Sequence, residues 1–169
     1  MVEYIEFSLL NEECVERNVK INKDDPNEVY VWRDTSGGNL LKNPYWWRKA
    51  ITKLKNGYYV ISVTRKKYLL HRVCYYAHNP DWDIYDYSPS NFIDHKDRNP
   101  ANNHISNLRE ATNQQNHENT NAKGYSYYKR EKCWCAEIMK DGKRYRKLCK
   151  TEEEAIAERE KLKATHHSF

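Results

Sequence analysis

The sequence predicts a small α+β protein made of antiparallel strand pairs and short helices. Three observations carry that expectation. Period-two runs bounded by turn residues occur at 57–70 and 123–149, a short strand-like run at 92–95 closes on Asp94-His95, and Thr-led capping sequences stand at 112–115 and 151–154. Leu, Ile, Val and Phe supply only 30 of 169 residues, a level at which disorder competes as a reading. The 14 Tyr and 5 Trp argue against it, because rings that bury one face and keep a polar edge can close small cores. No stretch approaches the roughly 18 apolar residues of a membrane span, and Glu3 and Glu6 interrupt the first apolar run. The expectation is a soluble, cytoplasmic chain with no membrane partner.

Charge is unevenly spread. Residues 1–30 hold three basic and eight acidic side chains, whereas residues 120–150 hold ten basic and three acidic. A basic block of that density, interleaved with Tyr and Trp, points to a polyanion, most simply nucleic acid. The five cysteines, Cys14, Cys74, Cys133, Cys135 and Cys149, lack paired C-x-x-C spacing, so neither a disulfide framework nor a structural zinc is expected.

The chain divides into three regions. Residues 1–56 carry the acidic start, a strand-like Val29 to Arg33, a turn at Ser36 to Asn39 and the aromatic Tyr45-Trp46-Trp47, with no evident role. Residues 57–121 begin with a hairpin turning at Arg65-Lys66. Leu70, Val73, Cys74 and Ala77 then recur at helical spacing until Asn79-Pro80, which makes 57–79 a scaffold for residues 92–121. In 92–121, Phe92 to His95 is a strand, Lys96 to Ser106 a polar loop, and Asn107 to Glu110 leads to a helix. Thr112-x-x-Gln115 has the form of a capping box, in which Thr112 accepts from the amide at 115 and Gln115 answers back. Eight Asn fall between Asn99 and Asn121, more than turns require.

Asp94-His95, Asn107 in Asn-Leu-Arg, and Asn116 nine residues further on resemble the HNH nuclease motif, the ββα-metal (His-Me finger) core of phage and intron-encoded homing endonucleases. His71-Arg72 upstream fits as well. The third motif position is Asn116 where the family name has His. The resemblance implies that His95 is the general base, that Asp94 and Asn116 bind one divalent cation, Mg²⁺ or Mn²⁺, and that Asn107 fixes the loop carrying His95. It also implies double-stranded DNA as substrate, in a prokaryotic or phage-infected cell, for a monomer or homodimer.

Elementary chemistry supports those roles. Phosphodiester hydrolysis needs an activated water, a countercharge for the crowded phosphorus and a stabilised leaving oxygen. A hard cation takes oxygen ligands, which a carboxylate and an amide carbonyl provide. An imidazole titrates near neutrality and can accept the proton of the attacking water. Arg72, Lys96, Arg98 and Arg109 flank this set, where phosphates of a bound strand could lie and position the duplex without reading it.

Residues 122–169 read as strands at Lys123 to Tyr128, Cys133 to Met139 and Lys143 to Cys149, then a helix opened by Thr151-x-x-Glu154 and running to Lys163. Lys123-Gly124, Trp134-x-Ala136-x-Ile138, Asp141-Gly142 and Thr151-x-x-x-Ala155 resemble an AP2-like DNA-binding domain, a three-stranded antiparallel sheet packed on one helix. Leu148-Cys149 departs from the Gly and aromatic usual there. A two-residue turn at Asp141-Gly142 pairs Lys140 with Lys143, so Trp134, Ala136, Ile138 and Tyr145 face the helix while Glu137, Arg144 and Arg146 face outward. Lys123, Arg130, Arg144 and Arg146 are the expected DNA contacts of this part, and His166-His167 read as a tail. The whole is expected to be a metal-dependent DNA endonuclease; the rival is a non-catalytic DNA-binding regulator, indifferent to chelator and to loss of Asp94.

Overall fold

The computed structural model describes residues 1–9, 18–36, 39–63, 65–120 and 122–167, and divides into two compact units, Met1–Glu110 and Ala111–Phe169.

The first unit opens with a four-stranded antiparallel sheet in sequence order, β1 (Tyr4–Phe7), β2 (Val19–Asn22), β3 (Val29–Ser36) and β4 (Asn39–Arg48). Alternation explains its sidedness: Val19 and Ile21 pair with Val31 and Val29 and turn inward, while Lys20 pairs with Tyr30 on the outer side. Of this sheet only the run Val29 to Arg33 and the turn at 36–39 are legible in the sequence; Gly37 and Gly38 of that turn, like Cys14, lie outside the described residues.

A second antiparallel sheet, β5 (Thr52–Lys53), β6 (Tyr59–Val63) and β7 (Lys66–Leu69), contains the expected hairpin, but Lys66 already pairs with Val63, so the reversal does not fall at Arg65-Lys66 as expected; Arg65 has φ 67°. Helix α1 (Leu70–His78) follows directly and buries Leu70, Val73, Cys74 and Ala77, the four positions its spacing marked. It stops at Asn79, whose backbone amide and Nδ2 both donate to the carbonyl of Tyr75, just ahead of Pro80. Val19, Ile21 and Val29 share one buried core with Ile61, Val63, Leu70 and Val73, so residues 1–56, silent in the sequence, help to close the core under the candidate site. Ile93 and Leu108 join that core from a two-stranded sheet, β8 (Phe92–His95) with β9 (Leu108–Ala111).

The second unit starts with α2 (Asn113–Glu118), whose capping box is complete: the amide of Gln115 donates to Thr112 Oγ1 at 3.2 Å, and that of Thr112 to Gln115 Oε1 at 2.8 Å. A three-stranded antiparallel sheet comes next, β10 (Tyr125–Tyr128), β11 (Cys133–Lys140) and β12 (Lys143–Cys149), then α3 (Glu152–His166). Lys140 pairs with Lys143, Ile138 with Tyr145 and Glu137 with Arg146, the register the two-residue turn implied. Asp141 and Gly142 at that turn have φ of 51° and 72°, the left-handed pair such a tight reversal needs. Ala136, Ile138 and Ala155 are buried, while Arg144 and Arg146 are exposed.

Two expectations here need correction. Thr151 caps α3 by accepting from the amide of Glu154, but the Glu154 carboxylate accepts from the amide of Lys150 at 2.8 Å, so the reciprocal half of the second capping box is redirected. The helix also runs past Lys163 to His166, because the His166 ring stacks on Tyr145 with centroids 4.0 Å apart. His166 is therefore part of the folded unit and not a tail.

Candidate active site

Asp94 and His95 end β8, and both are buried. Strand alternation turns them to opposite faces, so each needs its own surroundings. Asp94 Oδ2 accepts from Nε and Nη2 of Arg109 on β9, at 2.9 and 2.8 Å. This paired donation is short and charge-assisted, and it aims the carboxylate from the neighbouring strand. His95 Nε2 lies 3.2 Å from Oδ1 of Asn103, a side chain only 1% exposed. An amide oxygen only accepts, so this contact corresponds to the tautomer that carries its proton on Nε2.

Loop 96–107, between β8 and β9, is tied by amides. Asn107 Oδ1 accepts from the backbone amide of Asp97, and its Nδ2 donates to Asp97 Oδ1 and to the carbonyl of Asn102. Asn102 donates to the other Asp97 oxygen, and the Asn99 amide also donates to Asp97. Burial pushes the Asp97 carboxyl up, but the donors from Asn102, Asn99 and Asn107 outweigh it and hold the group below its ordinary range. Three of the eight Asn in this stretch, Asn99, Asn102 and Asn107, thus form a carboxylate-centred knot on Asp97 in the loop that carries Asn103. Asp97 and Asn103 were not singled out from the sequence, since eight similar amides gave no reason to prefer one.

A third group sits beside His95. The rings of His71 and His95 have centroids 5.1 Å apart, and Tyr58 lies 5.3 and 5.8 Å from the two. Burial, then the neighbouring His95 and Arg72, push His71 down to about 3, so it is neutral at physiological pH, and its buried Nδ1 has no hydrogen-bond partner. A cleft of about 210 Å³ opens on this side, lined by Tyr58, His71, Tyr87, Ser88, Asn91 and Phe92. That is below the roughly 300 Å³ of a small-ligand pocket.

The expected phosphate contacts differ in their surroundings. Arg72 is buried, its guanidinium between Trp82 and Tyr87 at 4.5 Å from each ring, donating to the carbonyls of Ile84, Asp86 and Asn91. Arg72 thereby clamps segment 82–91. Lys96 donates to the carbonyl of Ser106, while Arg98 is exposed and holds φ 63°. In the second unit, Lys123 reaches over the Tyr125 ring, Arg144 meets Glu137 at 3.7 Å, and Arg130 and Arg146 are exposed. Asn116 lies in the middle of α2, in that unit.

Residues 68–118 match the HNH endonuclease family model. The match runs from β7 through α2 and takes in Asp94, His95, Asn103, Asn107 and Asn116. It covers less than a third of the 169-residue chain and supports an HNH nuclease, an enzyme acting on DNA. No curated protein and no solved structure matches the chain.

HNH nucleases generally use a divalent metal. Among the described residues no three His, Cys, Asp or Glu side chains gather into a metal-holding group. The buried Asp94 carboxylate, held by Arg109, is a donor whose chemistry fits a hard cation that keeps much of its water. Described helices include none long and apolar enough to cross a membrane.

Proposed function

We propose that the chain is a metal-dependent DNA endonuclease of the homing type, hydrolysing phosphodiester bonds in double-stranded DNA. The observation that carries this reading is the His95 to Asn103 contact inside the HNH segment, at the end of the strand that also bears Asp94. His95, oriented by Asn103, accepts the proton of the attacking water. Asp94 and Asn116 hold one divalent cation, Mg²⁺ or Mn²⁺; Asn116 enters on its sequence spacing alone. The bound ion supplies a countercharge for the non-bridging oxygens and for the departing oxygen. Asn107 and Asp97 hold the loop, and Asn103 fixes the imidazole.

Lys96 and Arg98 contact phosphates near the cut, and Arg109 acts through Asp94. Arg72 is left out of the DNA contacts, because its guanidinium is spent on three backbone carbonyls. Residues 122–169 form an AP2-like reader, whose Lys123, Arg130, Arg144 and Arg146 meet the duplex. The basic, exposed outer face of β12 supports that assignment.

Supercoiled plasmid carrying the DNA that neighbours this coding sequence tests the reading. Conversion to nicked or linear product with Mg²⁺, abolished by EDTA, is expected. Tight duplex binding with no EDTA-sensitive conversion would replace it with the regulator.

A further inference from the structure

The β3 and β4 strands outrun the rest of their sheet. The last residue in register with β2 is Val31; the Trp32 amide still donates to the carbonyl of Asn18, and Trp32 and Arg33 pair across with Trp46 and Tyr45. Cross-strand partners share a face, so the ribbon carries Trp32 and Trp46 on one side and Arg33, Tyr45 and Trp47 on the other. The first side is partly closed by internal contacts, though Trp32 remains 37% exposed. Trp32 meets Trp46 edge-on at 5.3 Å, and the Lys20 ammonium sits 4.9 to 5.0 Å from the Tyr4, Tyr30 and Trp46 rings.

The second side is open. Tyr45 is 42% and Trp47 50% exposed, their ring centroids are 6.1 Å apart, and the Arg33 guanidinium lies 5.3 Å from Trp47. Val31, on the same side, packs against the core, whereas these two rings extend beyond it half in water and mark a surface built for a partner. The charge says which kind. From Val31 to Asn56 the chain has six basic side chains, Arg33, Lys42, Arg48, Lys49, Lys53 and Lys55, against one acidic, Asp34. Exposed rings beside a guanidinium in a basic field suit flat bases on a phosphate backbone.

We propose that the Arg33, Tyr45 and Trp47 face of the β3–β4 ribbon is a stacking platform for single-stranded DNA, each ring receiving one base and Arg33 a phosphate. A duplex cannot use it in this way, because its bases already cover one another's faces. The choice of DNA over RNA rests on the endonuclease reading. The platform gives that enzyme a grip on an unpaired segment of its substrate.

Anisotropy of a labelled oligo-dT of about 20 nucleotides, longer than the roughly 4–16 of a single-strand site, tests this with the full chain in EDTA. Oligo-U and a duplex of equal length serve as comparison arms. Tyr45→Ala and Trp47→Ala should each weaken oligo-dT binding about tenfold, Trp47→Phe should largely restore it, and Arg33→Gln should reduce the salt slope by about one. Circular-dichroism melts check that each variant is folded. The inference is overturned if oligo-dT does not bind, if both alanine variants bind like wild type, or if oligo-U or the duplex binds tenfold more tightly. Binding is read in EDTA, so failure to cleave DNA leaves this result intact, and failure to bind oligo-dT leaves the cleavage test intact.

Discussion

Oδ1 of Asn103 lies 3.2 Å from Nε2 of His95, and both side chains are buried. One amide among eight thereby meets the imidazole ring. Asn103→Ala should lower cleavage about a hundredfold, within the range general-base catalysis supplies, and destabilise the fold by about 1–3 kcal/mol through the unpaired N–H left behind. Single-turnover cleavage and urea denaturation read the two effects. Asn103→Gln, which keeps the acceptor but moves it, should fall between Ala and wild type in rate.

Asn107 holds the loop and makes no contact with the base among the bonds described. Its amide joins the backbone of Asp97 and Asn102 to the Asp97 carboxylate. Asn107→Ala should cost about 2–3 kcal/mol of stability at roughly 1 kcal/mol per net hydrogen bond, and should loosen exchange protection between 96 and 107. A variant with wild-type stability would show that the knot does not hold the loop.

His71 makes stability depend on pH. Folded, it is held neutral down to about 3, by burial first and then by His95 and Arg72; unfolded, it takes a proton near 6.5. Between those values the unfolded chain binds the extra proton, so this contribution is fully present above about 6.5 and is lost as pH falls. The limiting slope is about 1.4 kcal/mol per pH unit. His71→Phe keeps the packing against Tyr58 and His95 but cannot titrate. Its stability should fall less than that of wild type between about pH 7 and 5. Equal losses in the two proteins would remove His71 as the cause.

Gly124 is confined by its neighbours. It sits at φ 65°, and a Cβ built there would lie 1.9 Å from Arg159 Nε. Gly124→Ala should destabilise the second unit by more than about 1 kcal/mol. Adding Arg159→Ala should recover only part of that, since the left-handed backbone remains strained. Thermal melts of the single and double variants separate clash from strain.

Local chemistry was legible in the sequence where one residue and its near neighbours decide the outcome. Thr112 and Gln115 find each other across one helical turn, and Asp141-Gly142 can adopt left-handed φ wherever it lies, so the capping box and the β11–β12 register are visible without the fold. Arg72 is different: its charge predicted phosphate, but Trp82 and Tyr87, which enclose it, lie 10 and 15 positions away and are brought there only by the fold. Glu154 obeyed the capping spacing yet chose the Lys150 amide, because a carboxylate at that position can reach either donor. Asp94 and His95 stood out because their chemistry is rare side by side, whereas Asn103 became a functional candidate only through its contact across the loop.

Single-turnover cleavage by His95→Ala beside wild type in Mg²⁺, with products sequenced on both strands and duplex binding measured in parallel, probes the assignment of the base without intermediaries. Binding within a few-fold of wild type is expected, with cleavage lower by at least about a hundredfold, the lower end of what a positioned base supplies. Cleavage by His95→Ala at the wild-type rate and positions would contradict His95 as the base and, with it, the hydrolytic mechanism.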